Sequence, residues 1–271
     1  MHTHDSSFHA LHKQGLLVLA NVGDAGSARL VESLGSKAVA TSSAAMAWAN
    51  GYQDGNKLPL ELLLSSVRSM TRTLNVPLTV DIEGGYSDDL AQVSKVIEGV
   101  IAAGAVGINL EDGSGSPELL MRKIETARKT ANRLGVNLFI NARCDLYLKN
   151  LLPADDRLDE ALKRTRRYAT AGADGFFIPG MTTPDEIAVI CLASELPVNL
   201  LARDNLPTLE ELQLLGVRRL SAGSSLAESL YGALAEQARQ FLQQGMSVPG
   251  PSKPYTYREL NGLMAPSSTA H

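Results

Sequence analysis

The residues of this chain best placed to do chemistry are acids and one arginine at the ends of short apolar runs. VDIEGGYSDD carries Asp81 and Glu83, NLEDG carries Glu111 and Asp112, and INARCD carries Arg143. Side chains repeat every second residue along an extended segment, so Asp81 and Glu83 are expected to share an orientation. Neighbouring strands lie about 5 Å apart, so these carboxylates must be neutralised or hydrogen-bonded. An oxygen-rich cluster without His or Cys suits Mg2+, or Mn2+, with water completing the coordination. Asp81, Glu83 and Glu111 are therefore the expected metal ligands. Asp88 and Asp112 are expected to cap helices or pair with arginines instead. The planar fork of Arg143 matches a carboxylate or phosphonate, the alternative being a pair with Asp145 or Glu111. TSSAAM offers Thr41, Ser42, Ser43 and Ala44, small residues whose hydroxyls and backbone N–H groups let an oxyanion approach closely. Asn199 and Asn21 complete a polar ring.

The elements that position these groups are eight apolar runs: 16–21, 38–42, 77–81, 107–111, 137–141, 175–179, 198–202 and 218–222. Each is followed by a segment of helical periodicity. Continuous Val, Ile, Leu and Phe rather than alternation marks parallel strands covered on both faces. Eight such units in 271 residues predict a (β/α)8 barrel over 15–245. Residues at the C-terminal strand ends of that fold face one shared pocket. Pro117 and Pro184 open helices, and Gly35, Gly104, Gly135, Gly172 and Gly216 close others, the expected asymmetry. Residues 1–14, with four of the five histidines, are expected to be a flexible tail, and 246–271, rich in proline, an extended arm. The folded body would then contain no histidine, leaving proton transfer to carboxylates, Tyr, Lys, Ser or water.

Bulk composition narrows the classes further. A hydrophobic content of 44%, a charged content of 20% and a net charge of -4 describe an ordinary soluble globular balance with no electrostatic reason to bind nucleic acid or an anionic membrane. No apolar stretch approaches the ~20 residues of a membrane span. Cys144 and Cys191 are too few for a disulfide framework, and the N-terminus lacks a signal-peptide core, so a cytoplasmic setting is expected. No lysine lies at a strand end, which argues against a Schiff-base aldolase, and no histidine stands ready to activate Cys144.

The ordered set TSSAAM, GYQDG, VDIEGGYSDD, AGAVGINLEDG, INARCDLYL and AGADGFFIPG resembles the isocitrate lyase and phosphoenolpyruvate mutase superfamily from about Leu17 to Gln244. The resemblance implies a barrel whose eighth helix is swapped between subunits of a homodimer, often within a homotetramer. It implies Mg2+ and a small 2-oxo acid or dicarboxylate, or its enolate, at the C-terminal mouth. By position, Asp81, Glu83 and Glu111 would surround the metal, Asp54 would approach it from a loop, Arg143 would bind substrate, and Ser42 to Ala44 would donate to its carboxylate. Two departures matter. The Lys-Lys-Cys-Gly-His lid of the isocitrate-cleaving members is absent, because NLEDGSGSPELL passes directly into a helix, and Glu83 stands where an aspartate is usual. The expected reaction is a Mg-dependent C–C cleavage or decarboxylation of an oxaloacetate-like acid, with water or Tyr86 returning the proton. The alternatives are a P–C bond phosphonomutase or phosphonopyruvate hydrolase, and a barrel that binds a 2-oxo acid without turning it over.

Overall fold

The computed structural model describes residues 2–245 and 255–265. Its strands are β1 (Leu17–Leu19), β2 (Asn21–Val22), β3 (Val39–Thr41), β4 (Leu78–Asp81), β5 (Gly107–Glu111), β6 (Phe139–Arg143), β7 (Gly175–Phe177), β8 (Val198–Leu201) and β9 (Arg219–Ser221). All pair in parallel, in the order β1-β9-β8-β7-β6-β5-β4-β3-β2. The first apolar run is interrupted at Ala20. β1 pairs with β9 and β2 with β3, so one stave in two pieces closes the ring. Eight staves result, as the sequence predicts.

The helices are α1 (His2–Leu11), α2 (Ala25–Ser33), α3 (Ser43–Ala49), α4 (Leu60–Thr73), α5 (Leu90–Ala102), α6 (Pro117–Arg133), α7 (Ala154–Ala171), α8 (Pro184–Ala193), α9 (Leu209–Leu214), α10 (Ser225–Gln244) and α11 (Tyr257–Met264). Local chemistry sets their ends. Ser116 caps α6 ahead of Pro117, Thr208 and Glu211 form a reciprocal cap on α9, and Gly172 ends α7 in the left-handed conformation. The strands' outward residues, among them Val80, Ile108, Leu110, Ile140 and Leu200, pack with Val93, Ile97, Ile124 and Ile187 of the helices in one large core. Leu17, Leu19, Ala38, Ala40, Val106 and Phe139 form a second, smaller core with Phe8.

Phe8 corrects the expectation of a flexible tail over 1–14. It is fully buried and meets Phe139 edge-on with ring centroids 5.4 Å apart. His12 stacks on Phe139 at 4.0 Å, and its Nδ1 lies 2.8 Å from the Phe8 carbonyl oxygen. α1 thus plugs the N-terminal end of the barrel. The reason lies in tertiary packing rather than in periodicity: one Phe in a polar segment packs into the cluster of Leu17, Leu19, Ala38, Ala40, Val106 and Phe139. The folded body therefore does contain histidine, at the end opposite the strand C-termini. Burial pushes the His12 pKa down to about 3, leaving the ring neutral.

The C-terminal arm also departs from expectation within its described part. Thr256 and Glu259 cap α11 reciprocally, and Arg29 of α2 donates from Nε to the Leu263 carbonyl at 3.1 Å. The rest of the predicted arm, 246–254 and 266–271, lies outside the described residues. α10 has no buried residue, and Leu226, Leu230, Tyr231, Leu234 and Phe241 are exposed along it. Among the described residues no helix is long and apolar enough to cross a membrane.

Candidate active site

At the C-terminal end of the barrel, a cavity of about 160 Å3 is lined by Asn21, Ser42, Ser43, Ala44, Asp54, Asp81, Asn109, Arg143, Phe177, Leu201, Arg203 and Ser221, among others. β3 ends at Thr41, and Ser42 caps α3, its hydroxyl accepting from the Ala45 N–H at 3.3 Å. The first turn of α3 therefore borders the cavity. Asn21 donates to the Thr41 carbonyl at 2.8 Å and accepts from the Ala222 and Gly223 N–H groups, stitching the first and last staves together.

Arg143 is the hub. Its Nε and Nη2 donate to the two oxygens of Asp145 at 2.6 and 3.2 Å. Its Nη1 lies 2.7 Å from Glu111 Oε2 and 4.0 Å from Asp81 Oδ2. The Glu111 contact is an ion pair off the N–H axis, and that buried oxygen makes no hydrogen bond. Asp145 is itself wholly buried, and its N–H donates to Asp112 Oδ1 at 2.8 Å. Asp112 Oδ2 accepts from Arg164 Nη1 at 2.8 Å and from the Tyr168 hydroxyl at 2.7 Å. Asp112 is thus a pairing residue, as expected, and it anchors the strand end that carries Arg143. Asp88 pairs with Lys123 at 2.7 Å.

The acids are under electrostatic stress. Burial raises the pKa of Asp81 against the opposing pull of Arg143. Burial brings Glu83 to about 7, with the Asn56 N–H lowering it and Asp54 and Asp81 raising it. Glu111 is brought to about 8, again chiefly by burial, with Arg143 opposing and Asp81 adding. Arg143 is pushed up: its burial would lower it, but Glu111, Asp81 and Asp145 together prevail. Negative groups outnumber the positive charge available to them, which is the condition a bound cation relieves.

The sequence-predicted residues are only partly gathered. Asp81, Arg143 and Ser42 to Ala44 share the cavity, as the strand-end rule implies, and Asp54 joins them from the loop between α3 and α4. Thr41 lies beside it and spends its hydroxyl on the Asp81 N–H at 2.9 Å. Glu83, with φ of 50°, accepts the Asn56 N–H at 2.5 Å rather than lining the cavity. Glu111 faces a second cavity of about 520 Å3, together with Tyr86, Lys123, Lys149 and the Gly113–Ser116 loop. The Arg143–Glu111 pair therefore stands between two spaces. Among the described residues no three His, Cys, Asp or Glu side chains come together as a metal cage. The expected triad of Asp81, Glu83 and Glu111 is thus not a closed set of direct ligands, because Arg143 occupies the space between Asp81 and Glu111. Asn199 is likewise displaced from the expected substrate wall. It is 1% exposed, one layer below the cavity, and accepts from the Ser221 hydroxyl at 3.1 Å. Cys144 is fully buried and its thiol pushed up by burial, as suits a packing residue.

Asp145, named by the sequence as an alternative partner of Arg143, is indeed hydrogen-bonded to it. Sequence reasoning missed two residues. Arg203 lines the cavity from the loop after β8 and makes no ion pair among the described residues. Arg219 lies inside the barrel. The signal for the last was available: RRLSA places an arginine in the interior register of a strand, and Asn109, Asn141 and Asn199 recur at the inward positions of three others.

A parallel barrel with an acid–arginine cluster at its C-terminal mouth defines the class of protein: a (β/α)8 barrel with its polar site at the strand C-termini. The family model described as phosphoenolpyruvate phosphomutase matches residues 8–242, so the chain belongs to that family, within the isocitrate lyase and phosphoenolpyruvate mutase superfamily of lyases and mutases. An uncharacterised Mycobacterium tuberculosis protein is 34% identical over 255 residues, covering 92% of this chain and 93% of its own. A Burkholderia cenocepacia J2315 protein, provisionally described as a phosphonomutase, is 40% identical with a TM-score of 0.83, over 88% of this chain and 99% of that one. An oxaloacetate decarboxylase of Bradyrhizobium sp. (strain ORS 278) is 31% identical over 190 residues, 66% of this chain and 63% of that protein.

Proposed function

We propose that the protein is a divalent-metal-dependent lyase that decarboxylates or cleaves a small, oxaloacetate-like 2-oxo acid through an enolpyruvate-like intermediate. The observation that carries this reading is the excess of buried carboxylates around Arg143 at the edge of a cavity of substrate size. The likeness to an oxaloacetate decarboxylase supports the choice of acid.

The donors fit a hard ion: all are oxygens, and Asp81, Glu83 and Glu111 each carry a raised pKa that a cation would relieve. Asp81 and Asp54, which reach the cavity, would hold Mg2+ or Mn2+, with Glu83 and Glu111 acting through water. When bound, the ion supplies Lewis-acid stabilisation of negative charge on the 2-oxo oxygen. The protein does the rest. Backbone N–H groups of Ser42 to Ala44 receive the carboxylate next to the ketone. Arg143, whose fork is engaged by Asp145 and Glu111, offers its charge and fixed position rather than a free bidentate edge. Arg203, without an ion pair among the described residues, gives the mouth a positive charge that draws in a dianion. Cleavage of the bond to the departing carboxylate moves its electron pair into the enolate, and a proton then returns to carbon from water, since burial keeps Tyr86 a poor donor on the far side of the Arg143–Glu111 pair. We place the enzyme in the cytoplasm as a homodimer or homotetramer in which α10 is exchanged, its exposed apolar row being what such an exchange covers.

The test is turnover of oxaloacetate by purified protein with Mg2+, beside Arg143→Ala. Loss of at least a hundredfold in kcat/KM in the variant supports the reading, whereas equal rates remove it. The Burkholderia likeness favours one second reading, P–C bond chemistry on phosphonopyruvate. Turnover of phosphonopyruvate in preference to oxaloacetate would select it.

A further inference from the structure

Directly beneath the cavity the barrel interior carries a polar layer where branched apolar side chains are usual. Thr79, Asn109, Asn141, Asn199 and Arg219, from β4, β5, β6, β8 and β9, are each 3% exposed or less. Glycines make room for them: a Cβ on Gly175 would lie 2.6 Å from Asn141 Oδ1, and one on Gly107 2.9 Å from Thr79 Oγ1.

Arg219 is the cation of this layer, and no carboxylate pairs with it among the described residues. Burial lowers its pKa to about 9, against the pull of Asp81 above, so it stays charged at neutral pH. Its Nε donates to Ser221 Oγ at 3.3 Å and its Nη2 to Asn109 Oδ1 at 3.2 Å, while Nη1 has no hydrogen-bond partner among the described residues. Both recipients, Ser221 and Asn109, line the floor of the cavity.

A guanidinium can only donate, so the Asn109 atom facing it must be the oxygen. That oxygen also receives the Asn141 amide at 2.9 Å, which fills its two lone pairs. The Asn109 amide nitrogen is thereby turned away from Arg219. The Ser221 hydroxyl, in turn, is directed to Asn199 Oδ1.

We propose that Arg219 is a positioning residue for the site above it. It locks Asn109 with its N–H2 group presented to the cavity, and it sets an unneutralised positive charge beneath the floor that favours an anionic occupant. An arginine kept inside a barrel without a counterion is costly to the fold. The interior position, the lack of a hydrogen-bond partner for Nη1 among the described residues and the contacts to two floor residues together assign it to the ligand rather than to stability.

The inference rests on the 2-oxo acid reading in its choice of probe, oxalate, a planar dianion resembling the enolate of pyruvate. The full chain is titrated with oxalate in the presence of Mg2+ by calorimetry, and thermal unfolding is followed in parallel. Arg219→Met is expected to unfold at the same or a higher temperature than the wild type and to bind oxalate at least tenfold more weakly. Asn109→Asp gives Arg219 a counterion and removes the N–H2 group. It is expected to show the same pair of changes, and it serves if Arg219→Met does not fold. A variant that loses thermal stability but keeps oxalate affinity within twofold has lost a structural residue only, and the inference is overturned. A wild type that binds no oxalate removes the 2-oxo acid reading and this inference with it, whereas equal binding by wild type and variants removes the role of Arg219 alone.

Discussion

Replacing Arg143 with Met removes the one cation that Glu111, Asp145 and Asp81 share, at 2.7, 2.6 and 4.0 Å. Asp145 has no exposure and would keep only Lys149, at 3.3 Å, as an ionic partner. Breaking a buried pair by deleting one partner costs about 3–5 kcal/mol, because the other charge is left desolvated. For a chain of this size that is a fall in Tm of roughly 6–20 °C. The loss must also depend on pH. Arg143 opposes the raised pKa values of Asp81 and Glu111, so without it both rise further. A carboxyl whose folded pKa exceeds its unfolded value binds more protons when folded. Its contribution is fully present below about pH 4.5 and is lost as pH rises through the folded value, about 8 for Glu111 in the intact protein. The deficit of Arg143→Met should therefore be smaller at pH 5 and largest above pH 8. Urea unfolding of both proteins at pH 5 and pH 8.5 measures it. A deficit below about 1 kcal/mol at both pH values, the worth of an exposed pair, would refute the buried-cluster account.

Other outcomes follow from the same geometry. Mg2+ should raise Tm more at pH 8.5 than at pH 6, because Glu83 and Glu111, with pKa values of about 7 and 8, must give up protons to a cation. Calorimetry in buffers of different ionisation enthalpy should show proton release, and pH-independent stabilisation would count against the cluster as the ion's seat. Arg203→Gln should raise KM for oxaloacetate about tenfold with kcat nearly unchanged, as expected of a charge that acts on binding alone; a fall in kcat with KM constant would place it in the chemistry. Phe8→Ala should destabilise by about 3–5 kcal/mol in urea, since it empties a fully buried site at the base of the barrel, whereas loss of less than 1 kcal/mol would return α1 to a loose tail. Leu230→Glu with Leu234→Glu should shift a dimer to monomer in sedimentation, and an unchanged mass would leave the apolar row of α10 without that partner.

The barrel was legible because buried parallel strands are written as uninterrupted apolar runs, and the punctuation at Ser116-Pro117, Thr208 and Gly172 is local chemistry. Asp81, Arg143 and Ser42 were legible because strand ends face one mouth, and Asp54, in the loop between α3 and α4, only through the family resemblance. What escaped depends on contacts between distant segments. Phe8 carries no periodic signal and is fixed by Phe139, far along the chain. The separation of Glu83 and Glu111 from the cavity depends on where Arg143 lies and on the turn at Glu83, neither of which a spacing rule encodes. Asn199 shows the limit of strand-end reasoning most plainly: one register step down a strand moves a polar group from the mouth into the interior layer.

The most direct measurement is a crystal structure of the protein grown with Mg2+ and oxalate. The account requires both in the cavity among Asp81, Arg143 and the first turn of α3, with Asp81 touching the ion directly or through one water. Oxalate bound elsewhere, or an ion held on the far side of the Arg143–Glu111 pair with Asp81 untouched, would contradict it.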